Sequence, residues 1–242
     1  MHIEEHENPV NLKIQPTKQN IDQKLGVPAP FIDKPAVYVV SGGMGSGKST
    51  YMNSIMTSSG KNSVFKGKFD HIHYSTPPEV FTSDPNHPFN DHELTRLHFE
   101  LNPSMLDAIT EDAIRVKEDG GCSCLILDDW SEELKDKRIE NKLKKLIHKH
   151  RHYKLNIIIS LLTLKSLPRQ LRALIDVFVI FKPKSQIELG TFAEEVFALP
   201  KKDINQLFDF VYQTPYDFLF YNQRSNKYHR NFNPLKITNA SV

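Results

Sequence analysis

Five short runs of apolar, mostly β-branched residues recur along the chain, separated by longer polar stretches with helical spacing. They are Val37–Ser41, about 70–74, Cys124–Leu127, Asn156–Leu162 with Ile157-Ile158-Ile159 at its centre, and Val177–Phe181, which Pro183 stops. Strands that are apolar throughout are covered on both faces, and strands that alternate with helices run parallel, because parallel neighbours need a crossover. The pattern predicts an α/β fold with a mainly parallel central sheet flanked by helices. One helix is expected from Gly47, with Met52, Ile55 and Met56 on one face, and another over about 104–118, capped by Asn102 or Ser104. Further helices are expected over about 132–152, 186–197 and 201–212, with a short helical connection at 167–174.

The tail alternates over Tyr216–Tyr221 and again over 228–237, across a polar 222–227, as a β-hairpin does. Residues 79–100 are polar and carry Pro85 and Pro88, which reads as a loop insertion. Residues 1–34 are aperiodic and punctuated by Pro9, Pro16, Pro28 and Pro30, so they read as an N-terminal arm ahead of one domain over 35–242.

Directly after the first strand run stands Gly42-Gly43-Met44-Gly45-Ser46-Gly47-Lys48-Ser49-Thr50. Strand, G-x-x-x-x-G-K-S and apolar helix, in that order, form a phosphate-binding loop. Four of the ten glycines fall in these nine residues, so the run is not background composition. Glycines let successive backbone N–H groups turn inward around an anion, and the following helix aims its positive dipole end at the same point. Lys48 is expected to reach the β- and γ-phosphates, and the Ser49 hydroxyl to ligate Mg²⁺. The expected ligand is a nucleoside triphosphate, ATP in the first instance, which makes 35–242 a P-loop ATPase domain.

The third strand run ends in Asp128-Asp129. Two adjacent carboxylates at an apolar strand end raise each other's pKa unless a cation is near. Asp128 is expected to hold the Mg²⁺ shell and Asp129 to polarise the attacking water.

Composition changes this picture little. About a quarter of the residues are charged, and no apolar run approaches the length of a membrane span. The first residues, Met-His-Ile-Glu-Glu-His, carry no charged-then-apolar targeting pattern. Cys122 and Cys124 are the only cysteines. Their spacing suits neither a disulfide framework nor a four-ligand zinc site, so buried thiols in a reducing compartment are expected. Net charge is +2, but residues 1–130 carry 11 Lys/Arg against 18 Asp/Glu and residues 131–242 carry 20 against 11. Such asymmetry suits a head-to-tail subunit contact or a nucleic-acid track.

The glycine loop, Leu125-Ile126-Leu127-Asp128-Asp129, Arg151-His152 before an isoleucine-rich strand, Leu167-Pro168-Arg169-Gln170-Leu171-Arg172 before the last apolar run, and the aromatic C-terminal hairpin occur together. In this combination the chain resembles the poxvirus-type genome-packaging ATPases of the FtsK/HerA superfamily, known from large cytoplasmic DNA viruses and virophages. The resemblance covers about 35–237. It implies a strand order 5-1-4-3-2, numbering the five apolar runs in sequence. It also implies a homo-oligomeric ring, a pentamer or hexamer, that drives double-stranded DNA without sequence specificity into a capsid, docking on a capsid or portal-vertex protein. The place of action would be the host cytoplasm, in the viral factory, with association to the virion. The family carries a polar sensor, often Gln, at the end of the fourth strand, where this chain has Leu161-Leu162-Thr163. Thr163 or Ser160 takes that role, or γ-phosphate sensing is weakened.

Ring ATPases complete their site with an arginine from the next subunit. Arg151, Arg169 and Arg172, which all flank the fourth strand, are the candidates, with Arg151 favoured because it ends a basic helix and matches the family's Arg-His pair. Lys142, Lys144, Lys145, Lys149, Arg151 and Lys154, interleaved with His148, His150 and His152, form a stretch without acidic interruption. It contacts DNA or a neighbouring subunit, or is a solvated helix face. Arg224, Lys227, His229 and Arg230 make the hairpin basic, for a pore, a capsid contact or a charge-protected edge. Two other readings of the loop stay open: a nucleotide or nucleoside kinase, and an ATP-dependent assembly switch without efficient turnover.

Overall fold

The computed structural model describes residues 24–82, 87, 89–90, 95–197 and 199–237. The first 23 positions of the expected arm, and Pro85 and Pro88 of the expected insertion, lie outside the described residues.

The sheet is built around β1 (Val37–Ser41), β2 (His71–Ser75), β4 (Ser123–Asp128), β5 (Leu155–Leu161) and β6 (Val177–Phe181), all parallel. Their spatial order is β2-β4-β5-β1-β6. That is 5-1-4-3-2 in the count of the five apolar runs. Every residue of β1, β4, β5 and β6 is buried, as runs covered on both faces require.

The structure corrects the sequence reading at both ends of the sheet. Within the expected 79–100 loop, α2 (Pro78–Thr82) forms one helical turn and β3 (Thr95–His98) pairs in parallel with β2 as the outer strand. Four residues with mixed polarity carry no periodicity to read. At the other end, β7 (Phe218–Asn222) and β8 (Lys227–Arg230) form the expected hairpin, and β9 (Asn233–Leu235) adds to it. The hairpin does not stand apart: β7 pairs antiparallel with β6, giving a nine-stranded sheet.

Two apolar cores cover the sheet, and alternate residues of each strand feed opposite ones. Val37, Val39, Leu125, Leu127, Ile157 and Ile159 face the core shared with α3 (Pro103–Glu118), α4 (Lys137–Lys149), α5 (Arg169–Arg172), α6 (Gln186–Phe192) and α7 (Lys201–Val211). Tyr38, Val40, Ile126, Ile158 and Val179 face the other, closed by α1 (Lys48–Thr57) and by Leu25, Val27, Phe31 and Ile32. Residues 24–34 are thus packed against the sheet. Asp33 accepts from the N–H groups of Gly26 (2.6 Å) and Val27 (3.1 Å), and the Ile32 N–H donates to the Tyr38 hydroxyl (3.1 Å).

Helix ends follow local chemistry. Asn102 caps α3 by accepting from the Met105 N–H at 2.8 Å, with Pro103 in the first turn. The helix expected over 132–152 is shorter. A 3₁₀ turn occupies Glu133–Lys135, Asp136 caps α4 by accepting from the Arg138 N–H (2.7 Å), and α4 ends at Lys149. His148 and His152 therefore share no helix. The stretch expected over 186–197 runs α-helical to Phe192 and closes as a π-turn over Ala193–Phe197.

Candidate nucleotide-binding site

Parallel register decides which residues meet. Val40 and Asp128 both pair with Ser160 on β5, so the ends of β1 and β4 lie level, one strand apart. That spacing is about 10 Å across the sheet. The ladder continues past β1 as the Gly42 N–H donates to the Leu161 carbonyl (3.1 Å), which pins the start of the glycine loop to the same edge as the acidic pair.

Two glycines in the loop are required by geometry. At Gly47 the backbone is left-handed, with φ 101°, and a Cβ there would stand 3.2 Å from Tyr216 Cδ1 and 3.4 Å from Phe181 Cε1. At Gly42 a Cβ would collide with Ser46 Oγ at 2.6 Å and Phe181 Cβ at 2.7 Å. Met44 stands 83% exposed at the loop's crest, where Lys184 donates to its carbonyl at 3.3 Å. Lys48 opens α1, and its ammonium donates to the carbonyls of Gly42 (2.7 Å) and Gly43 (3.4 Å). Burial lowers its pKa, while Asp128 and Asp129 pull it back up. Gly45, Ser49 and Thr50 are exposed beside it, open to a ligand, with Ser46 half-buried.

Asp128 is buried, and one carboxylate oxygen accepts from the Tyr74 hydroxyl at 2.8 Å. Asp129 is half-buried with φ 61°, a strained value for a residue with a side chain, and its N–H donates to the Ser160 carbonyl at 3.4 Å. Burial and the neighbouring Asp128 raise its carboxyl pKa, against the pull of Lys48. A raised carboxylate beside a half-buried ammonium is suited to polarise water. The donors here, the Ser49 hydroxyl and the Asp128 carboxylate, are oxygens, which is the set Mg²⁺ takes. Ser160 beside Asp128 has a buried hydroxyl without a protein partner. Sequence reasoning named Ser160 but had no means of finding Tyr74, whose role depends on the β2–β4 pairing.

The candidate arginines separate. Arg172 is engaged within the chain. It pairs with Glu195 and donates to the carbonyls of Leu167 (2.7 Å) and Lys165 (3.3 Å). It thereby ties the segment after β5 to the π-turn. Arg169, at the start of α5 on the crossover from β5 to β6, is 84% exposed and 3.9 Å from Glu195. Arg151 lies in the turn before β5, at the opposite edge of the sheet. Thr163 is exposed and 3.4 Å from the Ser166 hydroxyl.

The basic stretch is partly spent internally. Lys142 pairs with Asp107 on α3 (2.6 Å) and Lys144 donates to Gln170 (2.7 Å), while Lys145, His148 and Lys149 are exposed on α4 and His150 is buried. In the hairpin, Arg224 pairs with Asp176 and Arg230 with Asp217 (2.9 Å), His229 is buried, and Lys227 is exposed. Cys122 and Cys124 are free and buried, and burial pushes the Cys122 thiol up to about 12.

At the opposite edge, His71, His73 and Asp112 are, among the described residues, the one cluster of three or more His, Cys, Asp or Glu side chains whose ligand atoms lie within 4.8 Å of one another. There they form a hydrogen-bonded network. Asp112 faces His71, His73 (3.0 Å) and Arg115 (2.9 Å), and His98 meets His73 at 3.1 Å. Arg115 and Arg96 already supply positive charge to the carboxylate. Burial lowers the His73 pKa from 6.5 to about 4.

Solved structures support the fold. The genome packaging NTPase B204 of Sulfolobus turreted icosahedral virus 2, with ATP-gammaS, superposes with TM-score 0.60 at 15% identity over 84% of this chain and 100% of that one. The DNA-packaging ATPase B204 of Sulfolobus turreted icosahedral virus gives 0.63 at 14%, over the same shares. EssC ATPases 2 and 3 from Geobacillus thermodenitrificans give 0.53 at 14%, over 85% of this chain and 41% of that one. Among curated proteins no sequence matches significantly. The sequence model described as Poxvirus A32 protein matches residues 30–217, most of the chain, with the glycine loop and the acidic pair inside it. The chain is a P-loop ATPase and belongs to the poxvirus A32 protein family.

Proposed function

We propose that this protein is the ATP-driven motor that moves double-stranded DNA into a viral capsid. One observation carries the proposal: the level register of β1 and β4 on β5 puts Lys48 and the Asp128-Asp129 pair at one edge, in a chain of the A32 family. The packaging function printed for the structurally similar B204 proteins supports the same reading.

In this reading the loop N–H groups from Gly43 to Thr50 bind the phosphates, and Lys48 leaves its loop carbonyls to neutralise the β- and γ-oxygens. Ser49 and Asp128 would hold Mg²⁺, which would offset the negative charge of the triphosphate when bound. Tyr74 keeps Asp128 oriented. Asp129, with its raised pKa, accepts hydrogen-bonding from the attacking water and turns it toward the γ-phosphorus. Ser160, with an unpartnered hydroxyl beside this pair, serves as the polar group that the Leu161-Leu162 sequence does not supply.

Ring assembly brings an arginine from the next subunit. Arg169 suits this role best, being largely exposed, whereas Arg172 is engaged with Glu195 and Arg151 lies in the turn before β5, at the far edge. Lys145 and Lys149 of α4 offer phosphate contacts that read no sequence. A capsid or portal-vertex partner, and a site of action in the host cytoplasm, complete the proposal.

The test is the ATPase rate with and without double-stranded DNA, for wild type and Lys48→Ala, over a salt series. DNA stimulation that fades as salt rises, and a silent Lys48→Ala, are expected. Phosphoryl transfer to a nucleoside with no DNA effect would make the protein a kinase. Assembly on ATP with no turnover would make it a switch.

A further inference from the structure

We propose that the cavity beside the phosphate loop is a stacking site that holds a purine base against an aromatic wall without reading its edge, so that the motor takes ATP and GTP alike. This rests on the reading of the Lys48 loop as a triphosphate cradle. The cavity, of about 990 Å³, runs from Gly45–Tyr51 to a wall made by Phe181, Tyr216, Phe218 and Phe232. A nucleoside fits a pocket of that size.

Two rings of the wall keep much of their surface open. Tyr216 is 69% exposed and Phe232 44% exposed, although both line a concave site. Exposed aromatic surface inside a pocket marks a ligand face. Both rings are nonetheless held in place. Tyr216 lies against Gly47 with φ 67°, and the next residue, Asp217, accepts from the N–H groups of Gln213 (3.1 Å) and Thr214 (2.7 Å). Phe232 meets Phe218 edge-on at 5.2 Å and Tyr51 nearly parallel at 6.2 Å. The Tyr51 hydroxyl, on the same lining, is buried without a hydrogen-bond partner.

The rest of the lining explains the lack of selectivity. Its polar side chains away from the phosphate loop are the hydroxyls of Tyr51, Ser54, Ser58 and Tyr216 and the Lys61 ammonium, and among the described residues it includes no carboxylate, carboxamide or imidazole side chain. Adenine and guanine differ by exchanged donors and acceptors, and a hydroxyl can answer either. Strong discrimination needs buried groups that are left unpaired by the wrong base.

Calorimetric titration of the full chain with Mg-ATP, Mg-GTP and inorganic tripolyphosphate tests the proposal. ATP is expected to bind at least about ten-fold more tightly than tripolyphosphate, and GTP within about ten-fold of ATP. Tyr216→Ala, and Phe232→Leu, which keeps apolar bulk, should each weaken ATP and GTP about ten-fold while tripolyphosphate binds as before. Tripolyphosphate binding as well as ATP overturns the base site. So does GTP binding more than about ten-fold below ATP, or variants that weaken tripolyphosphate as much as ATP. A wild type that binds none of the three overturns the triphosphate reading itself.

Discussion

At the scale of single residues, the site depends on backbone positions that other side chains could not take. Gly47 combines a left-handed φ with contact to Tyr216 and Phe181. Gly47→Ala is expected to cost about 1–2 kcal/mol in unfolding free energy and to weaken triphosphate binding, measured by urea titration and calorimetry on the same preparation. Asp129 carries its own strain at φ 61°. Its proposed task is to polarise water, so Asp129→Asn should keep ATP affinity while turnover falls by about 10²–10⁴. A variant that loses affinity and rate together would place Asp129 in binding instead.

At the scale of elements, the segment between β5 and β6 shows how two neighbouring arginines of similar sequence context acquire different work. Arg172 holds two backbone carbonyls and Glu195, and its side chain is only 10% exposed. Removing a buried cation from such charge-assisted bonds costs about 1.5–3 kcal/mol. Arg169, largely in solvent, should cost within about 0.5 kcal/mol. Thermal unfolding of Arg172→Ala and Arg169→Ala is expected to separate the two: Arg172→Ala melts earlier, and Arg169→Ala melts with wild type. Equal melting would refute the clamp. The Leu-Pro-x-x-x-Arg run was legible as a motif. Its two arginines could not be told apart in sequence, because the Glu195 partner lies 23 residues on, across a helix and a strand.

At the scale of the whole molecule, catalysis and stability make separate demands. If Arg169 acts in trans, Arg169→Ala and Lys48→Ala are each inactive alone, and mixing them restores part of the DNA-stimulated ATPase at mixed interfaces. No recovery for Arg169, Arg151 or Arg172 would remove the trans arginine. Stability should track the buried imidazoles of the far edge. His73 stays neutral in the folded protein down to about pH 4, whereas the unfolded chain takes up its proton near 6.5. Between those values the unfolded state binds more protons, so stability falls as pH falls. Burial lowers His98, His150 and His229 in the same direction. Urea unfolding from pH 7 to 4 should show this decline, and His73→Gln should reduce its slope by up to about 1.4 kcal/mol per pH unit. An unchanged slope would show that His73 does not carry it.

The sequence by itself determined the five apolar strands, their parallel character, the phosphate loop and the acidic pair. Each of these is a local pattern: period, run length, or residue type at fixed spacing. The tertiary structure decided what depends on pairing across long separations. Register on β5 set Asp128 level with the end of β1, and the β2–β4 pairing brought Tyr74 to Asp128. Addition of β7 to β6 made the hairpin part of the main sheet and turned Phe218, beside Phe181, into pocket wall. The division has a physical cause. Local periodicity follows from backbone geometry that each segment carries alone. Which charge finds which partner is settled only when hydrogen-bond ladders and packed cores bring remote segments together.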